Sequence, residues 1–120
     1  MTDPLAPLVK LPEPWNPTRA TERLRAIAKS EYFNVSFKRH ALEQLAIRDL
    51  TTSDALYVVK NGFVHRPAIA ATQLGLFRYC IECTTPNSSR GVRVVIIPSM
   101  NACEAKIVTV MWVDEPLVGG

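Results

Sequence analysis

The sequence predicts an α+β domain in which N-terminal helices pack on a small antiparallel β-sheet of three to four strands. Apolar residues recur at helical spacing between residues 16 and 61, and from residue 76 onward three β-branched and aromatic runs alternate with turn-rich segments. The length of 120 residues, 48% of them hydrophobic and 21% charged, suits one modest core and is too short for two ordinary domains.

Five of the nine prolines fall within the first seventeen residues, so residues 1–15 are expected to form an extended arm. A single domain over 16–113 and a short tail over 114–120 follow. Asn16 before Pro17 is a good helix start, an N-cap side chain ahead of proline at the first helical position. This first helix should run to about Ser30, with Ala20, Leu24, Ile27 and Ala28 inside and Arg19, Arg23, Arg25 and Lys29 as a basic flank. Residues 32–37 read as either a short strand or an extended connection. Ser36 is expected to cap a second helix from Phe37 to about Arg48, burying Ala41, Leu42 and Leu45, before Asp49 and Leu50 break the pattern. Thr51 and Asp54 have the spacing of a capping box for a third helix, and Asn61-Gly62 predicts its left-handed stop.

The strand runs are LFRYCIECT, GVRVVIIPS and AKIVTVMWV, and FVHRPAIAA would add an edge strand because Pro67 cannot sit in a sheet's centre. In the first run Phe77, Tyr79, Ile81 and Cys83 share one face, and Arg78, Cys80 and Glu82 the other. The second run sets Val92, Val94 and Ile96 against Arg93, Val95 and Ile97. With apolar residues on both faces, the sheet should be covered by something besides helices two and three, such as the arm or another chain.

No apolar stretch is long enough to cross a membrane, so no transmembrane helix and no membrane partner are expected. The first eleven residues contain Asp3, Pro4 and Pro7 rather than a basic and then an apolar region, which argues against a secretory signal and for the cytoplasm. Three cysteines cannot be fully paired within one chain. Cys80 and Cys83 form a C-x-x-C string inside a strand, where residues three apart face opposite ways. A redox pair needs a helix N-terminus and a zinc site needs further ligands, so all three are expected to be reduced and structural. No cofactor or metal is expected, since the chain contains no phosphate-binding glycine loop, H-E-x-x-H, nucleophile elbow or dinucleotide fingerprint. The net charge of +3 conceals an uneven distribution: residues 16–100 hold twelve Lys/Arg against six Asp/Glu, which permits a polyanionic partner.

The stretch FKRHALEQLAIRDLTTSDALYVVKNG resembles the signature H-A-x-x-R-x-x-x-R-x-[IL]-[ST]-x-x-[DE]-[IVA]-x-x-[VI]-[LI]-x-x-G of the small bacterial DUF4258-type domains. Phe77-Arg78-Tyr79, Val92 to Ile97 and Thr109 to Trp112 resemble the strands that follow it in that family, so the likeness spans roughly residues 34–113. The family is similar to the RelE/ParE/BrnT toxins. That similarity implies a RelE-like fold, metal-independent RNA cleavage, RNA as substrate and a cognate antitoxin as partner. One position departs from the pattern, with Gln44 where the first arginine is expected, while the second is present as Arg48.

RNA cleavage of this kind needs an acid–base group and cations around the phosphate. His40 is the candidate base or acid, since histidine titrates near neutrality. Phe37, His40, Gln44 and Arg48 are spaced to share a helix face. Arg78 and Arg93, on successive strands, would clamp the phosphate, whereas Tyr79 points the other way. The candidate catalytic set is therefore His40, Arg48, Arg78 and Arg93. Each has a structural alternative: His40 packs under the sheet, Arg48 bonds carbonyls at the break between helices, and Arg78 and Arg93 pair with Glu82 across strands. The competing function is a non-catalytic interaction or ligand-binding module on the same scaffold, expected as a homodimer. Gln44, the acidic proline-rich ends and the doubly apolar sheet favour it.

Overall fold

The computed structural model describes residues 12–116, so residues 1–11 of the expected arm and the last four residues of the expected tail lie outside the described residues. Helix α1 spans Pro17–Lys29, begun as expected by the Asn16 side chain, which accepts a hydrogen bond from the Arg19 amide at 2.8 Å. It buries Ala20, Leu24, Ile27 and Ala28, the stripe read from the sequence. Helix α3 (Thr52–Asn61) carries the complete capping box between Thr51 and Asp54.

Helix α2 is shorter than expected, Arg39–Ile47, and Lys38 rather than Ser36 occupies its N-cap. The reason is that Asn34–Phe37 are taken up as strand β1, with Ser36 paired to Lys106. Asp49, at φ 56°, ends α2 in the left-handed region that aspartate tolerates better than most residues. It lets the Leu50 amide return to the Leu45 carbonyl at 2.9 Å. The left-handed stop expected at Asn61-Gly62 is absent, since Gly62 is extended at φ −83°. Glycine is required there for a different reason: a Cβ would lie 2.6 Å from the Val58 carbonyl oxygen and 2.9 Å from an Ile81 side-chain carbon.

The sheet has six strands in place of the three to four expected, and it is mixed rather than purely antiparallel. Besides β1 these are β2 (Phe63–Val64), β3 (Ile69–Ala70), β4 (Phe77–Thr84), β5 (Gly91–Pro98) and β6 (Glu104–Trp112). Their order is β1-β6-β5-β4-β2, with β3 also on β4. The central β4–β5–β6 meander is antiparallel, and β1 joins β6 in parallel. The expected edge strand is present as β2 and β3, two short pieces interrupted around Pro67.

One face of the meander carries Tyr79, Ile81, Val92, Val94, Ile96, Ile107 and Val110, buried with Leu24 of α1 and Val58 and Val59 of α3. Trp15 closes this layer by stacking on Tyr79 with ring centroids 5.5 Å apart, and its amide donates to the Tyr79 hydroxyl at 2.9 Å. Helix α1 and Trp15 thus supply cover beyond helices α2 and α3.

A bulge in β6 controls what the other face presents. Val95 is opposite Thr109 but Ile96 is opposite Ile107, leaving Val108 as the extra residue. The insertion resets the alternation, so Ala105 and Ile107 point into the core along with Val110, and Lys106 points away. Without it Lys106 would be driven inward.

Gly62→Ala should lower stability by about 1–3 kcal/mol, because the added methyl must displace backbone of α3 or β4. Urea unfolding followed by circular dichroism measures this, and an unchanged midpoint would show that the close approach is not required.

Candidate functional site

The sheet face turned away from the helices carries Arg78, Cys80 and Glu82 of β4, Arg93, Val95 and Ile97 of β5, and Lys106, Thr109 and Met111 of β6. The connection from β3 to β4 overhangs one end of it. This loop turns through Gly75 at φ 86° and is closed by the Ala71 amide donating to the Leu76 carbonyl at 2.9 Å. Beneath the overhang lies a groove of about 420 Å³ lined by Lys38, Gln73, Leu76, Arg78, Ile97, Lys106 and Val108. It adjoins an open depression of about 320 Å³ lined by Asn34, Ser36, Gln73, Leu76, Ile97, Glu104 and Lys106.

Two lysines meet in the groove because of backbone pairing. The Lys38 amide donates to the Ile107 carbonyl at 2.9 Å, extending the β1–β6 ladder by one residue and holding Lys38 close to Lys106. Among the described residues neither lysine takes part in an ion pair. Arg78 reaches the same groove from β4. Sequence reasoning named Arg78 but missed both lysines. The expected helix takes Lys38 into its first turn, and the facing of Lys106 depends on the bulge.

Arg93 is only 2% exposed, and its Nε donates to Glu82 at 2.8 Å. Its other nitrogens approach Met111 Sδ at 3.8 Å and the Val113 carbonyl at 3.4 Å. This is the cross-strand pairing with Glu82 weighed as the structural alternative. A buried, neutralised guanidinium is badly placed to hold a phosphate, since the partner carboxylate must be stripped away first.

Arg48 is likewise engaged. It makes a two-pronged pair with Glu115, Nε to Oε1 at 2.8 Å and Nη2 to Oε2 at 2.6 Å, and it also bonds the side chain and backbone carbonyl of Gln44. Glu115 Oε1 further accepts from the Trp112 amide at 2.7 Å, so the pair ties the end of α2 to the end of β6. Gln44, where the family-type pattern has arginine, serves as an acceptor for Arg48 in this cluster. The guanidinium holds the Glu115 carboxyl down to about 2 and is itself raised by that hydrogen bond.

His40 is exposed and borders a third depression, of about 210 Å³, with Gln44, Arg48, Thr109, Met111 and Glu115. It does not pack under the sheet. The four sequence-derived residues are thus distributed over three environments: His40 and Arg48 at the third depression, Arg78 in the lysine groove, and Arg93 in a buried ion pair. The groove and the third depression lie along the same side of β6, through Lys106 and Val108 in one and Thr109 and Met111 in the other.

The basic flank of α1 is partly occupied with structure. Arg25 donates to the Gly62 and Asn61 carbonyls at 2.9 and 3.0 Å and lies over the Phe63 ring, and Arg23 lies over Trp15. All three cysteines are unpaired, and burial pushes the Cys80 and Cys83 thiols up, opposite to what a reactive thiolate needs. Among the described residues no group of three or more His, Cys, Asp and Glu could hold a metal ion, and no helix is long and apolar enough to cross a membrane.

Residues 37–112 match the family model described as a domain of unknown function, DUF4258. No curated protein and no solved structure matches the chain. Trp15 and α1 lie outside the matched segment and yet complete its core.

Glu115→Gln should cost about 1–3 kcal/mol at neutral pH, the range for a hydrogen-bonded charged pair that is partly exposed. A carboxyl held low when folded stabilises the protein above its ordinary value of 4.5, and that contribution fades as pH falls towards about 2. Urea titrations from pH 7 to pH 2 should therefore show the gap between wild type and variant closing below about pH 4.5, and a constant gap would contradict this role.

Proposed function

The chain belongs to the DUF4258 family, and on that premise we propose that it is a toxin-like RNA-binding domain of the RelE-like superfamily that acts in the cytoplasm. The observation that carries this reading is the groove on the helix-free face of the sheet, where Lys38, Arg78 and Lys106 surround a floor of Leu76, Ile97 and Val108. Cations beside an aliphatic floor suit a single strand of RNA: the cations take backbone phosphates, and the base faces shield the aliphatic side chains from water. Most of the binding energy would come from release of the strand's counterions. An acidic segment of a cognate antitoxin would compete for the same cations.

Binding without cleavage is preferred because Arg48 and Arg93, half of the candidate catalytic set, are committed to Glu115 and Glu82. Cleavage is the second reading. One observation favours it: exposed His40 stands beside Thr109 and Met111, on the side of β6 that also presents Lys106. There it would exchange the 2′-hydroxyl or leaving-group proton of a strand lying across both depressions.

Fluorescence anisotropy with an eight-residue oligoribonucleotide tests the binding. Phosphate contacts from the two lysines predict that log K falls with log salt with a slope of about −1.4, and Lys38→Gln and Lys106→Gln should each weaken binding and flatten the slope by about 0.7. Unchanged affinity in both lysine variants would sink the proposal. Incubation of messenger RNA with the protein, with and without ribosomes, separates the two readings. Product whose formation falls at least tenfold in His40→Ala means cleavage, and intact RNA that is still bound means binding alone.

A further inference from the structure

The depression at the end of the lysine groove differs from it in chemistry. Leu76 and Ile97 give it apolar walls, while Asn34, Ser36 and Gln73 bring two amides and a hydroxyl, and Glu104 brings a carboxylate. Strand register accounts for the arrangement. Asn34 is paired with Glu104 and Ser36 with Lys106 across the parallel β1–β6 ladder, and these four share the helix-free face because Val35 and Ala105 point into the core. At about 320 Å³ it is a depression open to solvent, with Asn34, Ser36, Gln73 and Glu104 exposed, and its volume matches one base and part of its sugar.

Lys106 lines both the groove and this depression, so a phosphate held by Lys106 would lie beside both. We infer that this depression is a nucleobase-recognition site selective for guanine within single-stranded RNA, an inference that rests on the groove reading above. The selectivity follows from donor and acceptor chemistry. A carboxylate is acceptor-only with two adjacent oxygens, and guanine, through N1–H and the exocyclic amino group, is the standard base that presents two adjacent donors on its Watson–Crick edge. Adenine and cytosine each place an acceptor beside their amino group, which would face the negative charge. Uracil offers a single donor between two carbonyls. The amide donors of Asn34 and Gln73 remain for the guanine O6 and N7 acceptors.

The test compares oligouridine with the same oligomer carrying one central guanosine, adenosine, cytidine or inosine, by anisotropy at one fixed salt concentration. Guanosine should tighten binding by about tenfold or more over the other standard bases. Inosine, which lacks the exocyclic amino group, should lose most of that gain. Glu104→Gln removes one of the two adjacent acceptors and should bring the guanosine preference below about threefold, while oligouridine binds the variant at least as tightly as wild type. Equal affinity for all the oligomers, with oligouridine still bound, would overturn the guanine site and leave the groove reading standing. No binding of any oligomer would overturn both.

Discussion

Successive side chains along a strand point to opposite faces of its sheet, and here that two-residue period decides what β4, β5 and β6 can each contribute. Tyr79, Ile81, Val92, Val94, Ile96, Ile107 and Val110 all fall on the side covered by α1, α3 and Trp15, where each aliphatic side chain contributes about 1.5–3 kcal/mol on burial. Arg78, Arg93 and Lys106 fall on the other side. The bulge at Val108 keeps the two sets separate over the full length of β6. A continuous alternation would have exchanged Ile107 for Lys106, and an unpaired ammonium in the core costs far more than any local twist of the strand.

The cations divide according to what surrounds them. Arg93 and Arg48 each meet a carboxylate at hydrogen-bonding distance, and both serve to join elements, β4 to β5 in one case and α2 to the end of β6 in the other. Arg25 closes the C-terminal end of α3 by donating to two carbonyls and, among the described residues, is in no ion pair. Lys38 and Lys106 are brought together by the backbone ladder of β1 and β6 beside a groove, and among the described residues neither is in an ion pair. A formal charge of +3 reveals none of this, because the useful quantity is which positive groups remain available to a ligand.

Much of the fold was legible because its signals are local. Asn16-Pro17, the Thr51/Asp54 capping box and the apolar stripe of α1 depend on residues within a turn of one another, and the faces of β4 and β5 depend only on alternation. What was not legible depends on partners distant in sequence. Residues 32–37 read equally as a strand or an extended connection, and only the pairing with β6 decides for the strand and moves the helix start past Ser36. Gly62 looks like a helix stop, and only the approach of Ile81 shows why a side chain is excluded. Arg48 could be recognised as a candidate, but its partner Glu115 lies beyond the closing strand. The groove itself is made by the loop 71–76 passing over the sheet, and no spacing in the chain announces that overhang.

We propose that ligand chemistry resides on the helix-free face of the sheet and not on the basic flank of α1. Backbone amide chemical shifts of the isotopically labelled protein, recorded while an oligoribonucleotide is titrated in, address it most directly. The largest shifts are expected at Lys38, Arg78, Ile97 and Lys106, with Arg19, Arg23 and Lys29 unmoved. Shifts concentrated on Arg19, Arg23 and Lys29, with the groove residues silent, would contradict it.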